Sequence, residues 1–281
     1  MLNSKVKKEA LEELKRVSRN YAKLGEKVQQ NSIKLLDIRK QASNVIKEVE
    51  AYINAIANTP KEFESTFDKV KIHLKKFKAI LDIEYDEKKA NQISGSIAGA
   101  GIAMGAGVAA FGPTAAMAIA TTFGTASTGT AISALSGAAA TNAALAWLGG
   151  GALVAGGGGM AAGNALLAMA GPIGWAIGGT ALIGGALYAN KKNKEIAIKA
   201  QKETVKIQKH IAVLNAANIE ITELQKLTND HQSKLNEQLS YLKNNAPKDY
   251  NKFTLEQKYE IGSLVNNTLS LSKLINKKVG K

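Results

Sequence analysis

Lys88-Lys89-Ala90-Asn91-Gln92-Ile93-Ser94-Gly95-Ser96-Ile97-Ala98-Gly99-Ala100-Gly101 is the point at which the chain changes chemistry. From Ala90 to Asn190 there is no Asp, Glu, Lys, Arg or His, a run of 101 residues that closes on Lys191, Lys192 and Lys194. Of the 26 glycines, 23 lie inside it, and with its 31 alanines they fill 54 of its positions. The averages of the 281-residue chain, 45% hydrophobic with a mean hydropathy of -0.10, therefore describe neither part of it. One uniform globular domain is excluded, and three regions are expected instead: 1-89, 90-190 and 191-281.

A dinucleotide loop, a linker and membrane-active helices compete for the run. Gly99 and Gly101 with Gly105, and Gly157 and Gly159 with Gly163, imitate a dinucleotide fingerprint. Both have three residues before the last glycine where that fingerprint has two, and no acidic residue follows for the ribose. A P-loop needs a lysine that the run lacks. Catalysis is not expected, because only isolated hydroxyls are present, so the chain is read as a non-enzyme with no cofactor and no metal. A flexible linker would be polar, whereas Ile97, Ile102, Met104, Val108, Phe111, Leu145, Leu148, Leu166, Leu167, Ile173 and Leu182 need an apolar environment.

Membrane helices remain. Residues 97-120 and 143-170 are each long enough to span, and 172-189 is a shorter third candidate opened by Pro172. Gly95/Gly99, Gly101/Gly105, Gly159/Gly163 and Gly174/Gly178 give four small-xxx-small pairs that allow helix backbones to approach closely. Residues 121-130, rich in Thr and Ser, are expected to turn a hairpin or line a wet cavity. Lys88 and Lys89 before the run, with Lys191, Lys192 and Lys194 after it, favour keeping both ends on one face of a membrane. Trp147 and Trp175 are the aromatic anchors expected at its interface. Glycine and alanine add little hydrophobicity, so three states stay open: permanently integral, water-soluble before insertion, and a buried hairpin in a soluble bundle.

The flanks are charged and helical. Their net charge, +14 overall, comes from 20 basic against 14 acidic residues before the run and 17 against 9 after it. Such a surface favours anionic partners, above all lipid headgroups; with few aromatics and no nucleic-acid motif, nucleic acid is not expected. Residues 5-58 keep a heptad through Leu14, Val17, Tyr21, Leu24, Val28, Leu35, Ile38, Ala42, Val45, Val49, Tyr52 and Ile56. Asn31 interrupts that seam and either fixes register or is tolerated. Thr59-Pro60-Lys61-Glu62 reads as the start of a second, antiparallel helix carrying Phe63, Phe67, Val70, Leu74, Phe77 and Leu81. A third long helix covers about 188-243 and stops before Pro247, and Thr254-Leu255-Glu256-Gln257 opens a fourth. The expected fold is all-α: a long coiled-coil bundle whose C-terminal arm packs on the N-terminal arm, with a central Ala/Gly-rich apolar hairpin.

Smaller signals are read blandly. His210 and His231 have no metal-ligand spacing and are expected as packed seam residues. Lys69, Lys71, Lys75, Lys76 and Lys78 are expected to be a solvated helix face. The absence of cysteine removes disulfide and thiolate chemistry. Met1-Leu2-Asn3-Ser4-Lys5 runs straight into charge, so no cleavable secretory signal is expected.

Heptad helices around an Ala/Gly-rich apolar run resemble the α-helical pore-forming toxins and colicin-type channel domains, and also type III secretion translocators. Residues 141-163 resemble a glycine-rich block of uncharacterised bacterial proteins. The resemblance implies a bacterial protein that inserts into membranes, permeabilises them and assembles as a homo-oligomer. The alternative is a non-catalytic scaffold, membrane-anchored or soluble, that binds a coiled-coil protein partner.

Overall fold

The fold is that of a computed structural model, which describes residues 2–81, 118, 121–123 and 189–279. The described residues are helical and contain no strand, so the protein is all-α. Helix α1 spans Leu2–Asn54, α2 Lys61–Leu81, α3 Ala189–Asn245 and α4 Leu255–Leu274, with a 3-10 turn at Tyr250–Lys252. At 1.5 Å per residue α1 and α3 are each about 80 Å long, while α2 and α4 reach only about 30 Å.

The two long helices run side by side in the same direction. Ala10 packs with Ala197 and Ala200. Asn31 Nδ2 donates to Asn218 Oδ1 at 2.7 Å, and Ala57 pairs with Asp249 beyond the helix ends. Every apolar seam residue of α1 is buried or half-buried, as a helix pressed on one side by a partner requires. Asn31 is not merely tolerated. Its side chain bonds Asn218 and its carbonyl accepts from Gln225 Nε2 at 2.7 Å, so sliding α1 along α3 would orphan half-buried amides.

From Ser32 onward α1 buries a second stripe, through Leu36, Arg39, Ile46 and Ile53, because α2 and α4 now flank the pair. α2 doubles back on α1, with Lys71 Nζ 3.6 Å from Glu50, yet its main packing is on α4. The shared core includes Phe67, Val70 and Phe77 of α2 and Ile261, Leu264, Val265 and Leu271 of α4. Three buried hydroxyls are satisfied inside their own helices: Ser32, Thr228 and Thr268 donate to the carbonyls of Val28, Leu224 and Leu264.

The closed end of this bundle is pinned by local chemistry. Asn58 adopts the left-handed conformation (φ 59°) that asparagine tolerates, which lets the chain reverse before α2. Its Nδ2 donates to Asp249, and across the two loops the Ala57 N–H donates to Lys248 O while the Ala57 carbonyl accepts from the Tyr250 N–H, each at 2.9 Å. Phe63 stands edge-on to Tyr250 at 5.9 Å. Thr254 and Gln257 form a reciprocal capping box that starts α4.

The described body stops ahead of the uncharged run and resumes at its far end at different levels. Given the Lys71–Glu50 contact, Leu81 lies level with about residue 40 of α1, whereas Ala189 begins α3 at the far tip beside the start of α1. Along the axis these points are about 55 Å apart.

Candidate functional site: the Arg39 junction

Where α2 and α4 end, a short piece of the uncharged run sits in the core of the charged arms. Residues 121–123 are helical, and Ala118, Thr121, Thr122 and Phe123 are all buried. Ala118 and Phe123 belong to the same hydrophobic cluster as the four helices. The first residues of 121-130 are therefore not a wet turn. Their backbone can be buried because donors from two other parts of the chain meet it.

Arg39 supplies one. Its side chain is fully buried, and its guanidinium donates to the carbonyl of Thr121 at 2.7 Å and to that of Lys277. Among the described residues it has no carboxylate partner, and its Nε finds no acceptor. Burial pushes the group down to about 10, still charged at neutral pH. The C-terminal tail supplies the rest: Lys278 Nζ donates to Thr121 O at 2.8 Å, and Val279 N–H donates to Thr122 O at 2.9 Å. The Thr121 carbonyl thus accepts from two cationic groups, Arg39 and Lys278. Val279 itself is buried, which anchors the tail.

Residue choice at position 39 follows from geometry. Only three of the 37 basic residues are arginines, and the buried position has one of them. A planar fork can reach two carbonyls at once, which a lysine ammonium on a flexible stem does not do in one fixed geometry. The sequence carried a trace of this: Arg39 is a charge set within the apolar stripe of Leu36, Ile46 and Ile53. Periodicity reads that stripe as one helix face, but it does not report which backbone meets it. Thr121, Thr122, Phe123 and the tail have no periodic signal and were legible only in three dimensions.

The membrane-packing residues Gly95, Gly99, Gly101, Gly105, Gly159, Gly163, Gly174 and Gly178 lie outside the described residues. So do the interface residues Lys88, Lys89, Trp147 and Trp175, and the candidate spans 97-120, apart from Ala118, and 143-170. Lys191, Lys192 and Lys194 fall in the first turns of α3, with Lys192 and Lys194 exposed. Among the described residues no helix is long and apolar enough to cross a membrane. Lys69, Lys71, Lys75, Lys76 and Lys78 are all exposed, and Lys71 is shared between Glu50 and Asp68 at 3.6 Å each. His231 is half-buried in α3. No family model matches the chain, and no curated protein or solved structure matches it either.

Proposed function

We propose that this protein is a membrane-inserting, permeabilising protein whose charged coiled-coil bundle carries an apolar hairpin to lipid. The observation that supports this most is the run of 101 uncharged residues tethered to the body by the buried Arg39 junction. Docking Ala118 and 121–123 into a protein core suits a chain with a water-soluble stage, because those residues are shielded by donors before any lipid is met. The basic arms then supply attraction to anionic headgroups, about 1 kcal/mol for each lysine or arginine near the surface. The glycine pairs bring inserted helices together, and copies assemble into an oligomer.

Dye-loaded vesicles containing phosphatidylglycerol test the reading. Release and co-sedimentation are the expected outcome, weaker with neutral lipid and at high salt. Protein that neither pellets with vesicles nor releases dye would sink it. Gly101→Leu or Gly159→Leu should abolish release and assembly yet leave binding intact. Loss of neither would favour the second reading, a scaffold whose run is an anchor or a buried core.

A further inference from the structure

α3 has two apolar stripes and α1 covers only one. Ala197, Ala200, Thr204, Ile207, Leu214, Ala217, Ile221 and Leu224 are buried with their three–four spacing turned to α1. On the other side Ile198 (42%), Val205 (52%) and Ile219 (60%) are exposed, with exposed Ala212 completing a strict seven-residue repeat. Exposed Ala216 and Leu227 extend the same face. Isolated exposed apolar residues need no explanation, but a heptad repeat over about six turns is the pattern of a helix that meets another helix.

Charge selects the occupant. Residues 195-212 contain four lysines against two glutamates, and 213-230 contain three acids against one lysine. This length of α3 is thus net positive in its first half and net negative in its second. A parallel copy would stack like on like, whereas an antiparallel copy sets each end against its opposite. We infer that the outward face of α3 is a self-association surface, on which a second copy of this chain lays its own α3 antiparallel about a centre at Ala212 and Val213. In that register Ile198 meets Leu227, Lys202 meets Glu223, and the small Ala212 and Ala216 allow close approach at the middle. The two-fold axis lies across the helices, so both bodies can present one flank to one surface; the inference itself does not depend on the membrane reading.

The absence of cysteine makes the test clean. Full-length Ile198→Cys and Leu227→Cys chains are oxidised separately and as a mixture, and cross-linked dimer is measured on a denaturing gel. The mixture is expected to give a band of twice the 29.7 kDa chain, and Ile198→Cys alone none. Lys202→Glu or Glu223→Lys introduced into both partners should cut the yield about five-fold, and pairing one with the other should restore it. A band from Ile198→Cys alone would mean parallel pairing and overturn the proposal. No band in any mixture would overturn it too. Protection of Ile198→Cys from thiol reagents by phosphatidylglycerol vesicles, without a band, would assign the face to lipid instead.

Discussion

Phe123→Ala asks whether the junction is a docked element or simply part of the core. Phe123 is 1% exposed, and truncating a buried phenylalanine costs about 3–5 kcal/mol. The four helices have their own buried residues from Val17 to Leu274, so the loss should fall on the docking of 118–123 rather than on the body. A thiol at position 122 reports docking directly. Thr122 is buried and its Oγ1 has no hydrogen-bond partner, so Thr122→Cys forfeits no bond. In the otherwise unaltered chain that thiol should react with a maleimide far more slowly than a free thiol. With Phe123→Ala added, a loss of about 3 kcal/mol predicts roughly a hundred-fold faster reaction, capped at the free-thiol rate. Helix melting followed by circular dichroism should move little. The reasoning fails if the thiol reacts at the free rate without Phe123→Ala. It fails equally if melting of the body drops in step with the gain in reactivity.

The other predictions concern the body. Replacing Asn31 and Asn218 together by leucine should raise the thermal midpoint while loosening register, because the polar pair and not the apolar seam forbids sliding. A Leu24→Cys/Ile211→Cys disulfide should then form completely in the parent and incompletely in the double variant; an unchanged yield would refute the register role. His73 titrates low, first through burial and then through Lys76 and Lys273. With its folded value depressed, the unfolded chain binds more protons as pH falls below about 6.5, so stability is present at neutral pH and declines on acidification. His73→Gln should flatten that decline between pH 7 and 5 in urea titrations; an unchanged slope assigns it elsewhere. The effect is small, since the imidazole is only half-buried.

How much was legible follows from what each signal encodes. Heptads and breakers place helices well: the expected third helix of about 188-243 is Ala189–Asn245, and the Thr254 start is a capping box. They say nothing of direction or neighbour. The α1 seam was compatible with either orientation of α3, and it is the succession of Ala10 with Ala197, Asn31 with Asn218 and Ala57 with Asp249 that reveals the helices to run parallel. Likewise α2 was expected as the antiparallel partner of α1, but its principal partner is α4, because the faces of Phe67, Val70 and Phe77 meet Ile261, Leu264 and Leu271 in one core. The junction was least legible of all. It is built from backbone carbonyls, which every residue has, so composition could point to Arg39 as an anomaly without naming its acceptors.

In the membrane-inserting reading proposed above, the parallel long helices also bear on posture. The described body stops at Leu81, ahead of the uncharged run, and resumes at Ala189, about 55 Å away along the bundle, whereas a bilayer's hydrocarbon core is about 30 Å thick. A bundle standing upright on a membrane would hold one end of the run at the surface and the other far out in water. If the protein inserts, a long axis lying along the surface would keep Leu81 and Ala189 both within reach of one leaflet. Insertion would then proceed from two well-separated points beneath a recumbent rod, and the rod's length would set the spacing of whatever the inserted helices build.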